Sequence, residues 1–325
     1  MSLTRFRFKI VAILLSACGA IASAQSSSGF HLLHTYPLGG EGSWDYLRFD
    51  AARNRLFIAR STRVMAVDLA THQITGEIPD TAGVHGVAID DQAHRGVTSN
   101  GKANNAFIFD LTSLKVLATV ATGEKPDGIL FEPFSHRVLT MNGHANSITL
   151  IDAASAKVVN TIALPGRPES AASDGKGHVY VNLEDKAQIA VVNMTAHTVE
   201  HTWSLPGCEE PTGLAIDLDH ARLFSGCHNG VLEVVDALSG KSIKTLSIGN
   251  GVDAVAFDAG LKTIFTSNGE GSVSVVVEED ADHYQNAQTV PTLPGAKTLA
   301  LDPNHHLVYT VANQDGRFVL LEIGR

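Results

Sequence analysis

From Phe30 to the end of the chain, apolar residues alternate with polar or small ones in short runs. A period of two sends successive side chains to opposite faces of a strand, and β-branched residues suit a pleated, half-buried surface. The runs also repeat. WDYLRFD (from Trp44), VHGVAID (Val84), PDGILFE (Pro126), PESAASD (Pro168), PTGLAID (Pro211), VDAVAFD (Val252) and AKTLALD (Ala296) stack in register, spaced by 40, 42, 42, 43, 41 and 44 residues. Each is followed by a second run: RLFIAR, RGVTSN, RVLTMN, HVYVN, RLFSGC, TIFTSN and LVYTVAN. A third run ends in an acid or amide in five units, at Asp68, Asp110, Asp152, Asn193 and Asp236, and runs such as VLATV and VVNTIAL come fourth. Four strands at this spacing are the period of a propeller blade.

The third-run Asp or Asn opens segments such as DLTSLK and DALSGK, where its side chain can bond the backbone two residues on and tighten a hairpin. The seventh unit shows three evident strands, and FHLLHTYPLGG, from Phe30 to Gly40, supplies a fourth. Pairing that segment with the last unit would close the ring and remove both open edges. The pattern therefore predicts an all-β, seven-bladed propeller of four-stranded antiparallel blades, closed by the N-terminal strand. The sixth unit, with VEEDADHYQNAQTVPTLPG, is longer than its counterparts, which predicts irregular outer strands there.

The first residues change the picture in a different way. Arg5, Arg7 and Lys9 precede the apolar Ile10–Ala17, and Ala22-Ser23-Ala24 form a small-x-small cleavage site. Residues 1–24 thus read as a signal peptide and 25–325 as a single propeller domain, periplasmic or secreted. Leu15-Ser16-Ala17-Cys18 offers a second processing route, a lipobox that would anchor the chain to a membrane through Cys18. Cleavage after Ala24 leaves 21 Lys and Arg against 34 Asp and Glu, a net charge of −13. Such a balance argues against nucleic acid or an anionic membrane as a general partner.

The second-strand runs VTSNG, LTMNG, VYVN and FTSNG, each followed by a V-x-V-V-D-type strand, resemble those of the YVTN-repeat propellers, the family of YncE-like periplasmic proteins and surface-layer repeats. The resemblance covers essentially the whole mature chain. It implies an exported seven-bladed ring and, for YncE-like members, a single-stranded DNA contact. The −13 charge and the two tryptophans, Trp44 and Trp203, depart from that contact, because stacking platforms need exposed aromatics beside a basic groove.

In a propeller the loop into the innermost strand and the loop after the second strand share one face. Asp45, His85, Asp127, Glu169, Thr212, Asp253 and Lys297 hold the second position of the seven starts. Four carboxylates, an imidazole and an ammonium would ring one opening, as a site for Ca²⁺ or a cationic ligand, or as the lining of a water-filled tunnel. The second-strand column contributes Arg60, Asn100 and Asn142, the two amides suiting local turn bonding as much as a ligand. Cys208 and Cys227 should reach this same face in unit five, as a disulfide or as two free thiols. No C-x-x-C-H and no G-x-S-x-G occurs, and His197, His201, His305 and His306 fall mostly at turns.

These features favour a ligand-binding or scaffolding propeller of the cell envelope, with a small molecule, peptide or glycan as partner and a single copy as the default state. A lactonase-type hydrolase using channel carboxylates with a divalent metal is the alternative. The discriminating feature is whether the four carboxylates converge on His85.

Overall fold

A computed structural model describes Met1 and residues 29–325; the cleavage site after Ala24 and Cys18 lie outside the described residues. Seven four-stranded antiparallel sheets make the ring. Blade one comprises Leu47–Asp50, Arg55–Arg60, Arg63–Asp68 and Gln73–Ile78. Blades two to six follow over 84–121, 126–163, 168–204, 211–247 and 252–291. Blade seven joins Leu299–Asp302, Leu307–Gln314 and Arg317–Gly324 to His31–Pro37 from the other end of the chain. His31 pairs with Gly324 and Pro37 with Val319, so the closing strand lies where the alternation placed it.

The turns form as the acid and amide positions require. Asp68 Oδ1 accepts from the amides of Ala70 and Thr71 at 3.1 and 2.8 Å, and Asp110, Asn193 and Asp236 repeat the pattern. At the C-terminal ends of the inner strands, on the same side of the ring, Asp90, Glu132, Asp217, Asp258 and Asp302 tie down the next turn in the same way.

Apolar side chains pack between blades rather than around one centre. Phe57 and Val64 of blade one meet Val87 and Phe109 of blade two, and Leu139 and Met141 of blade three meet Val179 and Val181 of blade four. Corresponding clusters fill the other interfaces, including the junction where Leu56 and Met65 of blade one meet Phe318 and Leu320 of blade seven. Each fully buried Leu, Val or Phe contributes about 1.5–3 kcal/mol, so every blade is held mainly by its two neighbours.

Arg60 belongs to this framework. It is fully buried, lies 3.4 Å over the Phe318 ring, and donates to the carbonyls of Gly40, Glu41, Gly42 and Ser43. It thereby clamps the segment linking the closing strand to blade one. Burial, with Arg63 nearby, lowers its pKa to about 10, which leaves the guanidinium charged at neutral pH.

Blade six shows the expected irregularity in its outer strands. Its outer strands, Ser272–Asp280 and His283–Pro291, are nine residues each and pair along their length. The shift at Val275/Val276 matches one in the outer pair of each of blades one to five, and a second at Glu278/Asp280, additional in this blade, accompanies the extra residues. A bulge inserts a residue and twists the strand without ending the ladder.

Candidate functional site

The strand starts carry their second-position side chains to one mouth of the channel. His85 Nδ1 lies 2.7 Å from Asp45 Oδ2 and 3.1 Å from Asp127 Oδ1, which links blades one, two and three. Lys125 Nζ stands 3.7 Å from Asp127 Oδ2. Asp253 pairs with Lys297, Oδ2 to Nζ 2.5 Å, and Glu169 accepts from the Tyr46 hydroxyl at 3.1 Å. The carboxylates therefore divide three ways: Asp45 and Asp127 on His85, Asp253 on Lys297, and Glu169 on Tyr46.

Burial sets the protonation of this ring. It raises Asp127 to about 6, with Asp45 adding to the rise against the pull of His85. Glu169 is pushed well above the usual carboxylate range by burial and then by Asp127 and Asp253. Asp253 is raised by burial despite Lys297. Burial opposes charge on His85 and Lys297, but the acids around them outweigh it and raise both. Tyr46 is driven far above the ordinary phenol by burial and by Glu169, and remains a donor.

Beside the triad a cavity of about 450 Å³ opens over blades one to three. Trp44, Asp45 and His85 line it, with Lys102, Lys125 and His144 also contributing to its lining. The Trp44 indole donates to Gly295 O, in the segment linking blades six and seven, at 3.1 Å, which fixes the wall. Gly101 is needed against His85, because a Cβ there would lie 2.6 Å from His85 Nε2. The Asp45, His85 and Asp127 donor atoms all lie within 4.8 Å of one another, close enough to share one cation.

Several candidates do not join this group. Arg60 has its donors on backbone carbonyls. Asn100 and Asn142 are fully buried and bond side chains within their own hairpins, Asn100 to Thr98 on its own strand and Asn105 on the next, Asn142 to Thr140 on its own strand and Ser147 and Thr149 on the next. Cys208 and Cys227 form a disulfide near the same end of blade five. Trp203 stacks on Tyr180 and His201 along the outer strand of blade four.

Tyr46 was missed from sequence, although the repeat carries its signal. The third position of the other starts reads Gly86, Gly128, Ser170, Gly213, Ala254 and Thr298, all small. A lone tyrosine among them crosses the channel from blade one to Glu169 of blade four.

The raised Asp127 pKa makes a prediction about stability. Below about pH 4 the acid is protonated both folded and unfolded, so the shift costs nothing. Between about pH 4 and 6 the unfolded chain ionises this acid while the folded state keeps it protonated, so stability falls by about 2–3 kcal/mol across that window and levels off above it. Asp127→Asn mimics the protonated form. It is expected to raise the melting temperature at pH 8, with the gain vanishing below pH 4; thermal melts across that range check it.

The architecture defines the class: a seven-bladed β-propeller. Hydrazine synthase of Kuenenia stuttgartiensis superposes with a TM-score of 0.74 at 14% identity, over 88% of this chain and 95% of that one. A chain of a mitotic checkpoint complex gives 0.79 at 13% identity, over 98% and 100%. U3-55K gives 0.79 at 12% identity, over 92% and 99%. At these identities the likeness is one of fold, and one fold hosts many activities. No protein-family profile and no curated protein matches the sequence.

Proposed function

We propose that the protein is an exported, YVTN-repeat-type propeller that binds a small polar molecule, peptide end or glycan at its channel mouth. The cavity beside Asp45, His85 and Asp127 carries this reading. An aromatic wall at Trp44, acceptor oxygens on Asp45 and cationic donors on Lys102 and Lys125 give a ligand one apolar face and two polar anchors. Calorimetric titration with amino acids, dipeptides and methyl glycosides tests it. At least one class should bind, and Asp45→Ala should weaken that binding tenfold or more with little change in melting temperature. No binding by any probe, or equal binding by Asp45→Ala, would count against the site.

The shared reach of Asp45, His85 and Asp127 supports a second reading, hydrolysis at a cation held by these three groups. Metal-dependent lactone turnover lost in Asp127→Asn would favour it over simple binding.

A further inference from the structure

Blade six carries a carboxylate where five other blades carry a hydrophobe. The residue following the third-strand acid or amide is Leu69, Leu111, Ala153, Met194 and Ala237 in blades one to five, each buried. Glu278 is their counterpart. Its amide donates to Lys262 O, just before the second strand, as Leu69, Leu111, Met194 and Ala237 donate to Asn54, His94, Gly177 and Ala221. Glu278 is 2% exposed, and its Oε2 is buried with no hydrogen-bond partner.

Across the interface stand Asp217, 3% exposed at the end of the inner strand Pro211–Asp217 of blade five, and His220 in the following turn. His220 Nδ1 lies 2.7 Å from Asp217 Oδ2 and 3.2 Å from Glu278 Oε1. One ring proton thus faces two buried carboxylates, while Tyr284 donates to Glu278 Oε1 at 3.1 Å. Burial and the Asp217 charge together raise Glu278, as expected of an acid short of positive charge. At the next interface His306 meets Asp258 at 2.8 Å as a simple pair. Two carboxylates and an imidazole whose donor atoms lie within 4.8 Å occur, among the described residues, here and at the channel mouth.

We propose that Asp217, His220 and Glu278 form a zinc site that ties blade five to blade six. Zinc accepts nitrogen and carboxylate oxygen at about 2.0–2.2 Å in tetrahedral array, and the three donor atoms already lie within 4.8 Å of one another, with both acids 2.7–3.2 Å from the imidazole nitrogen. The imidazole favours zinc over calcium or magnesium, which take oxygen ligands. Zinc would satisfy the unpartnered Oε2 or its twin and neutralise the two acids. The edge of His220, 32% exposed, leaves the fourth position open to water. The site lies at the strand end opposite the channel mouth and is independent of the ligand proposed there.

The test uses EDTA-dialysed full-length mature protein, titrated calorimetrically with Zn²⁺ and melted with and without it. Wild type should bind one zinc at this site and melt several degrees higher. Asp127→Asn, which alters only the mouth, should keep that event; Glu278→Leu should lose it, and His220→Ala should weaken it at least tenfold. Glu278→Leu restores the residue of blades one and two, so its metal-free melting temperature should match or exceed wild type. His220→Ala removes a half-exposed ring and serves as the second variant should Glu278→Leu fold poorly. With Co²⁺, a visible d–d band present in Asp127→Asn and absent in Glu278→Leu reports the same ligands. Absence of zinc binding to wild type, or binding unchanged in Glu278→Leu and His220→Ala, overturns the proposal. An event lost only in Asp127→Asn would assign the metal to the mouth instead and equally overturn it.

Discussion

Replacing Arg60 by alanine is expected to destabilise the protein by about 4 kcal/mol, the cost of a large buried deletion that also leaves polar partners unpaired. Four carbonyls between Gly40 and Ser43 share its guanidinium, and the Phe318 ring packs beneath it. These contacts hold the loop between the closing strand and blade one, so the damage should fall on the seam of the ring. For a chain of this size the melting temperature should drop by roughly 8 °C. Hydrogen exchange should rise first along His31–Pro37 and Arg317–Gly324. Arg60→Met keeps the packing on Phe318 while removing the donors, and should recover part of the loss. If both variants melt like wild type, the clamp does not hold the ring closed.

The second large effect concerns the disulfide between Cys208 and Cys227, 19 residues apart in sequence. Closing a loop of this length restricts the unfolded chain, worth about 3 kcal/mol in the chain-entropy account. Both sulfurs are buried, against Tyr180, Leu214 and Leu223, so reduction also leaves two thiols packed in an apolar cluster. Cys208→Ser with Cys227→Ser should lower the melting temperature by roughly 6 °C. Wild type under strong reductant should follow in the same direction. A reduced wild-type protein that melts unchanged would show that the bond adds no stability. Free thiols in protein purified from its native host would argue against export to an oxidising compartment.

The ring was legible because its signal is geometric: a 40–44-residue period, turn acids at fixed offsets and a spare strand at one end need no side-chain detail. The identity of the mouth residues was legible for the same reason, since every blade presents the same register position. Their partnering was not. Whether Asp253 meets His85 or Lys297 depends on channel width and rotamers, which no spacing encodes. Asn100 and Asn142 were drawn towards the mouth by their column, yet they sit at strand ends whose side chains point back between the hairpin strands. Glu278 escaped notice because the lengthened sixth unit hides the alignment that sets it beside Leu69 and Leu111. Tyr46 was in plain sight, but its meaning required comparing one column across all seven units.

The seam has a consequence for when the protein can act. Asp45 is fixed from both sides of it: its amide bonds Ala59 of blade one, and its carbonyl accepts from Thr298 of blade seven, while Trp44 reaches Gly295. The wall of the mouth and one arm of its acid–imidazole group are thus set by contacts some 250 residues distant in sequence. Long-range pairing of this kind is intrinsically slow to form. Opening the seam would free the Trp44 indole and the Asp45 carbonyl from their partners at Gly295 and Thr298 while the Asp45 amide stays on Ala59, so closure of the ring is read directly at the mouth.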